Sequence, residues 1–527
     1  MFKVLVSDPL SKEGIQSLLD AEDVRVDETT GLNSEQLAGI IGDYDALLVR
    51  SQTRVSEEVL RNAAKLKVIG RAGVGVDNID LDAATAKGVI VVNAPDGNTI
   101  SAAEHTFAMM MAVARRIPQA YRSLTSGEWN RKAFKGVELN GKTLGIVGMG
   151  RIGAEVAKRA KAFQMKVVAF DPFLTEEKAG KLGVKRLTLE EVVRQSDFLT
   201  VHTPLTKKTR HLIGKDQFDQ MKPGVRIINC ARGGIIDEDA LYNAVREKKV
   251  AGAAIDVFEI EPPTDHPLIQ LPEVVVTPHL GASTQEAQHN VAVDVSTEVL
   301  RILRGQPYKN AVNLPPVSGE VLRKLEPYFV LAEKLGEIVV QLAKGAPGDV
   351  EIAYAGELTD IDTEPLTRMM LKGILSFYLG DKANFVNAPH LAKENDLSYS
   401  VKQSAKHRGF ASLIDVTLQT KQGHYRVAGT ILNGYGPRIV KIDQYTIDIS
   451  PLDRLLLIRH SDRPGMIGRV GSILGRHEVN IATMQVGRED VGGQAMMALT
   501  VDKKIEKAAF EELSGLDDIY SVRELEL

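Results

Sequence analysis

The sequence has a single cysteine, Cys230, no excess of positive charge, and no apolar run approaching the ~18 residues that suggest a membrane span. One cysteine excludes an intrachain disulfide and any cysteine-rich metal site, and it suits a reducing compartment. Lys and Arg number 65 against 69 Asp and Glu, a formal charge of -4. No basic field is available to hold a polyanion, so nucleic acid is not expected as a partner. The stretch MFKVLVSDPL alternates like a strand and does not present a basic segment followed by an apolar one. A cytoplasmic protein without a membrane partner is therefore expected.

What is present is ordinary globular composition, 44% hydrophobic and 25% charged, over 527 residues. That length exceeds the size at which one core keeps growing, so several domains are expected. Short β-branched runs alternate with helical stretches: FKVLVSD, DALLVRS, LKVIGRAG and VIVVNAP, then from about Lys142 TLGIVGMG, KVVAFDP, DFLTVHTP, VRIINCA, VAGAAIDVFE and VVVTPH. This is the rhythm of βαβ units around parallel sheets, in two α/β units that are Rossmann-like or flavodoxin-like and doubly wound. NAVNLPPVSG breaks the period and reads as a linker. Beyond it lies an α+β region with strands in VEIAYAGEL, DVTLQTK and YRVAGTIL, and then a compact βαββαβ pattern from RLLLIRHSD to IYSVRELEL.

The strongest motif is Gly148, Met149, Gly150, Arg151, Ile152, Gly153, which follows the strand TLGIV and opens the helix IGAEVAKRAKAF. In that setting the first glycine permits a tight turn, the second admits a pyrophosphate to the backbone, and the third lets helix and strand pack. Asp171 follows the next strand, where a carboxylate bonds the ribose hydroxyls and repels a 2'-phosphate, so NAD is expected over NADP. Arg232 lies in NCARGGIID after a later strand, Glu261 in EIEPP, and His279 in TPHLGAS. Ligands of such sheets bind beyond the carboxyl ends of strands, so arginine, glutamate and histidine are expected to converge on one cleft. The guanidinium fork of Arg232 suits a carboxylate.

GMGRIG with Asp171, NCARGGIID, EPP and PHLGAST together resemble the D-isomer-specific 2-hydroxyacid dehydrogenases, from about residue 1 to residue 313. The extension ending in RPGMIGRVGSIL is similar to the long form of that family, with an intervening domain and an ACT domain. The resemblance implies a substrate-binding domain over 1–97 and 284–313, an NAD-binding domain over 98–283, an intervening domain over 318–450 and an ACT regulatory domain over 453–527. It implies that His279 takes the proton from the C2 hydroxyl as hydride leaves, that Glu261 fixes the imidazole, and that Arg232 holds the substrate carboxylate. It further implies that Asp256 and the turn with Gly281 and Ala282 contact the nicotinamide end, that Thr203, Cys230 and Ala231 line the cofactor site, and that Arg151 and Ile152 lie over the pyrophosphate.

For a phosphorylated substrate, Arg50, Ser51 and Asn98 would meet the phosphate, Val74 and Gly75 would bring backbone to the carboxylate, and Arg131 would reach a neighbouring subunit's site. The segment from Glu104 to Trp129 is similar to the dimer-forming region of the family, so a homodimer or homotetramer is implied. In the tail, His460, Asp462 and, from a facing protomer, Asn480 would surround an amino-acid effector such as L-serine. Basic residues at His407 to Gly409 and Pro437 to Lys441 suggest an anion site in the intervening region. No metal is expected. Alternatives are a reductase of glyoxylate, hydroxypyruvate or 2-oxoglutarate, and an NAD-sensing corepressor-like scaffold.

Overall fold

The computed structural model describes residues 1–315, 319–343, 347–404, 409–451 and 454–527. By internal contacts the chain forms two compact units. One comprises Met1–Arg54, Ala64–Asn78 and Val92–Asn310, the other Val55–Ala63, Ile79–Val91 and Ala311–Leu527.

Two open sheets organise the first three hundred residues. The strands β1 (Phe2–Val6), β2 (Val24–Glu28), β3 (Ala46–Val49), β4 (Val68–Arg71) and β5 (Ile90–Asn93) lie in the order β2-β1-β3-β4-β5. The second sheet contains β6 (Thr143–Val147), β7 (Lys166–Phe170), β8 (Lys185–Arg186), β9 (Phe198–Val201), β10 (Val225–Asn229), β11 (Val250–Ile255) and β12 (Val274–Val276), in the order β12-β11-β10-β9-β6-β7-β8. Its strands pair in parallel. Their apolar runs are continuous because both faces are covered. Ile146 and Ile228 pack with residues of the helices Thr99–Arg115 and Arg151–Ala162, whereas Val147 and Ile227 pack with residues of Leu189–Gln195 and Glu238–Arg246. Both orders reverse once, between β1 and β3 and between β6 and β9, and a reversal opens a crevice at the strands' carboxyl ends.

The second unit carries a six-stranded sheet of β13 (Asp349–Gly356), β14 (Ser398–Ser404), β15 (Ser412–Thr420), β16 (Gly423–Leu432), β17 (Gly436–Ile442) and β18 (Tyr445–Ile449), in the order β14-β13-β15-β16-β17-β18. Its chain ends in β19 (Arg454–Ser461), β20 (Ile481–Arg488), β21 (Gln494–Val501) and β22 (Ile519–Leu525), with the helices Met466–Arg476 and Lys507–Ser514, which is the βαββαβ order read from the sequence. The terminal sheet is antiparallel and apolar on both faces. Leu456 and Ile458 pack under the unit's own helices, while Leu455 and Leu457 join the core that contains β13 and β15. The fold is therefore α/β with a mixed intervening sheet and a C-terminal ACT sheet. Among the described residues no helix is long and apolar enough to cross a membrane.

The helices Gly319–Leu342 and Glu364–Leu379 cross where a Cβ on Gly336 would overlap the carbonyl of Met370 and one on Gly373 would overlap that of Glu333. Backbone, not a flexible side chain, fills that space. Gly373→Ala is expected to destabilise this unit by about 1–3 kcal/mol through overpacking, read as a lowered thermal transition with NADH affinity unchanged.

Candidate active site

The glycine loop sits at the reversal of the second sheet. Gly148 has φ +98°, and a Cβ there would overlap the backbone of His202 at the end of β9. A Cβ on Gly153 would overlap the Gly148 carbonyl, whereas one on Gly150 would meet nothing within 4 Å. Internal packing thus accounts for the outer glycines, and the middle one faces open space beside the first turn of a twelve-residue helix with no side-chain cap. Free backbone N–H groups there suit a pyrophosphate. Asp171 accepts hydrogen bonds from the N–H of Met149 (2.8 Å) and of Phe173 (2.7 Å), which fixes its carboxylate beside the loop. Thr203 Oγ1 is buried without a hydrogen-bond partner among the described residues, and burial pushes the His202 imidazole down to about 4, so it is neutral at physiological pH. This donor set fits NAD.

The strands β10, β11 and β12 run parallel in the same sheet as β6, so their carboxyl ends lie at the same edge as that loop. Asp256 N–H donates to Asn229 O, Thr277 N–H to Ile255 O, and Gly233 packs so tightly on the backbone of Phe258 that a Cβ would overlap it. His279 Nδ1 lies 2.8 Å from Glu261 Oε2, and Glu261 Oε1 accepts the Phe258 N–H at 3.1 Å. Burial pushes the Glu261 carboxyl up, but its bonds to His279 and Phe258 outweigh that and hold it below the ordinary carboxylate range. Glu261 therefore stays ionised where histidine titrates, leaving Nε2 of His279 available for proton exchange. Cys230 is buried and its thiol is pushed far up, so it is a packed neutral residue.

Arg232 sits in a cluster of arginines that sequence reasoning found only in part. Its Nε donates to Asp77 Oδ2 (3.0 Å) and its Nη1 to Ala231 O (2.6 Å). Beside it lies Arg71, the last residue of β4, whose Nε is buried with no hydrogen-bond partner among the described residues. Burial first, then the positive charges of Arg232 and Arg50, hold the Arg71 guanidinium down at about 10, with Asp77 and Asp8 acting the other way. The loop after β3 is pinned by Asp8, whose carboxylate accepts the N–H of Arg50 (2.5 Å) and the hydroxyl of Thr53 (2.7 Å), and by Asn78, which donates to the carbonyls of Arg50 and Thr53. Arg71, Asp77, Asp8 and Asn78 were not read from the sequence. The signal for Arg71 was GRAGVG itself, because a Cβ on Gly73 would overlap the Arg71 guanidinium and one on Gly75 would overlap that of Arg232.

Other expected residues fall at varied distances from this geometry. Asn98 occupies the N-cap position of the helix Thr99–Arg115 without a side-chain capping bond, and its Oδ1 and the Thr99 hydroxyl are buried with no partner among the described residues. Val74 O accepts from Asn93 Nδ2 at 2.6 Å. Ser51 and Arg131 are exposed. Arg151 is paired with Asp96 at 2.5 Å. Ile152 is partly buried against the core, Ala231 N–H donates to Asn229 Oδ1, and Gly281 N–H donates to Asp256, with Ala282 next in the chain.

In the ACT sheet His460 is 2% exposed, with Nδ1 on Ser461 O at 2.8 Å and Nε2 unpartnered. Asp462 accepts the Gly492 N–H, and Asn480 is exposed. The following helix starts at Met466 behind Gly465 (φ 90°), with no side-chain cap. His407 and Arg408 lie outside the described residues, and Arg438 is engaged with Asp448 at 2.6 Å.

Reversed α/β sheets, a dinucleotide loop and an Arg, Glu and His set at adjoining strand ends define an NAD-dependent dehydrogenase of 2-hydroxy acids. The family model of the D-isomer specific 2-hydroxyacid dehydrogenase NAD binding domain matches residues 107–281, that of the D-3-phosphoglycerate dehydrogenase intervening domain residues 324–443, and that of the ACT domain residues 454–518. D-3-phosphoglycerate dehydrogenase of Bacillus subtilis is 49% identical over 527 residues, covering 100% of both chains, and that of Methanocaldococcus jannaschii is 47% identical with the same coverage. Among solved structures, a D-lactate dehydrogenase from Aquifex aeolicus complexed with NAD and lactic acid is 29% identical with a TM-score of 0.52, covering 57% of this chain and 96% of that one. A glyoxylate reductase from Paecilomyes thermophila is 31% identical with a TM-score of 0.55, covering 59% and 98%. The chain belongs to the D-3-phosphoglycerate dehydrogenase family.

Because Gly75 does not have positive φ and its clash is with the far end of a side chain, Gly75→Ala should fold normally yet displace Arg232. The expected result is a fall in kcat/KM of about 10²-fold, as for a misplaced substrate-orienting group, with thermal stability and NADH affinity near wild type.

Proposed function

We propose that the cleft oxidises D-3-phosphoglycerate to 3-phosphohydroxypyruvate, the first step of L-serine biosynthesis. The observation that carries this reading is the unspent positive charge of Arg71 beside Arg50 and Arg232. A substrate with a carboxylate at one end and a phosphate at the other supplies the anions this cluster lacks. Arg232 holds the carboxylate and stabilises negative charge that grows on the C2 oxygen, while Arg50 and Arg71, with the amide of Asn98, take the phosphate. His279 accepts the C2 hydroxyl proton at Nε2, and Glu261 steadies the imidazolium so formed. When bound at the Gly148–Gly153 loop, NAD supplies the hydride acceptor. The reverse reduction uses the same pair, with His279 returning its proton to the ketone oxygen.

Assembly and regulation extend the reading. Tyr121 (71% exposed) and Trp129 (79%) stand with Ile117 and Leu124 on one stretch, which fits burial by a second copy in a homodimer or homotetramer. The buried, unpartnered His460 Nε2 beside Asp462 and an uncapped helix start offers a place for L-serine, completed by Asn480 of a facing protomer.

His279→Ala and Arg232→Ala should each reduce kcat/KM by about 10²-fold or more while NADH affinity holds; near-normal turnover in either contradicts the assignment. Glu261→Gln should lower kcat in steady-state kinetics while NADH affinity holds, because a neutral amide holds the charged ring less strongly than a carboxylate does. L-serine should slow the wild-type enzyme and fail to slow Asn480→Ala, whose uninhibited kcat is unchanged. Calorimetry that detects no serine binding to wild type removes the regulatory part alone.

A further inference from the structure

The residue that carries the proton acceptor is held by one carboxylate. Asp256, 1% exposed at the end of β11, accepts the Thr277 hydroxyl (2.6 Å) and the Leu280 N–H (2.7 Å) on Oδ1 and the Gly281 N–H (2.9 Å) on Oδ2. Its main-chain carbonyl accepts the His279 N–H at 2.8 Å. His279 itself has φ +54°, a left-handed conformation that a non-glycine residue adopts only when its surroundings enforce it. The turn from Thr277 to Gly281 is thus strained at the residue that matters and tied down by Asp256.

Something must in turn hold Asp256. The helix Thr99–Arg115 presents Ser101 and His105, four residues apart and so on one face. His105 Nε2 lies 3.2 Å from Asp256 Oδ1 and 3.3 Å from Thr277 Oγ1, at the start of the segment that carries His279. Ser101 Oγ lies 2.7 Å from Thr284 Oγ1, at its end. One helix face therefore grips the His279 segment at both ends. Burial pushes the Asp256 carboxyl up, and its bonds to His105, Thr277 and Leu280 bring it below its ordinary value, so it remains an ionised acceptor for the turn.

We infer that His105 is a positioning residue for this dehydrogenase: by donating to Asp256 it fixes the Thr277–Gly281 turn and with it the place of the His279 imidazole. The inference rests on His279 as the proton acceptor. His105 has no part in binding the substrate anions, which fall to the arginine cluster. Its loss should therefore appear in kcat and not in KM.

The experiment compares full-length wild type with His105→Gln, His105→Leu and His105→Asn, reading kcat and KM for NADH-dependent reduction of 3-phosphohydroxypyruvate, NADH affinity by fluorescence, and thermal stability. Glutamine places an amide N–H near the position of Nε2 and should keep kcat within about threefold of wild type. Leucine fills the space without a donor, and asparagine is too short to reach, so both should lose about tenfold or more in kcat, with KM and NADH affinity within about threefold. The asparagine variant carries the test if the leucine variant does not fold. Wild-type kcat in the asparagine or leucine variant, or a glutamine variant as slow as they are, overturns the inference. A loss seen in KM alone overturns it as well. A wild-type protein that reduces no 2-oxo acid overturns the reaction itself, and the inference with it.

Discussion

Positive charge gathered at the carboxyl ends of two sheets, with too little negative charge to satisfy it, is the constraint on which the cleft depends. Asp8 spends its carboxylate on the backbone and hydroxyl of the loop after β3, and Asp77 is hydrogen-bonded to Arg232. Arg71 is left half-buried, its Nε fully so, beside two like charges. A depression of its proton affinity to about 10 corresponds to a disfavoured cation by on the order of 3 kcal/mol. A fold retains such a group where a bound anion repays it, and Gly73 and Gly75 of GRAGVG leave the room that the guanidinium groups occupy. Removing that charge would relieve the empty protein and disable the occupied one.

The same logic of local cost and distant support governs the proton acceptor. His279 sits in a conformation that costs an ordinary residue about 1–2 kcal/mol, held by Asp256, Thr277 and the helix face with Ser101 and His105. Glu261 comes from a separate segment and addresses the other side of the ring. The position of the turn and the orientation of the ring are thereby set by different residues. This separation lets the turn be rigid while the carboxylate that orients the imidazole remains partly open to solvent.

The glycine loop, Asp171 and the Arg232, Glu261 and His279 set were legible in the sequence because they are backbone requirements or sit at strand ends, where the βαβ rhythm says a ligand must go. Arg71 was not, since a lone arginine closing a strand looks like a solvated surface residue; only the glycines that make room for its head distinguish it. His105 was hidden inside an apolar helix whose exposed end suggested an interface, although Ser101 and His105 at a spacing of four on its buried side were a polar signal. In the intervening region three of six strands were read. The edge strand β14 is exposed along nearly its whole length and β17 opens with Gly436, Pro437 and Arg438, so neither carries a clear apolar face at its start, whereas β18 alternates cleanly in YTIDI but is only five residues long. The second apolar face of the ACT sheet was visible as RLLLIR, yet its destination, the core around β13 and β15, depends on tertiary packing.

The central claim is that the arginine cluster reads a phosphate as well as a carboxylate. Its most direct test is NADH oxidation by the purified protein with 3-phosphohydroxypyruvate, hydroxypyruvate, glyoxylate and 2-oxoglutarate, repeated with Arg71→Met. The phosphorylated substrate should lead hydroxypyruvate in kcat/KM by about 10²-fold, a difference in line with two charge-assisted contacts, and Arg71→Met should shrink that lead while hydroxypyruvate turnover stays near the wild-type rate. Equal rates for the phosphorylated and unphosphorylated acids in the wild-type enzyme would contradict it.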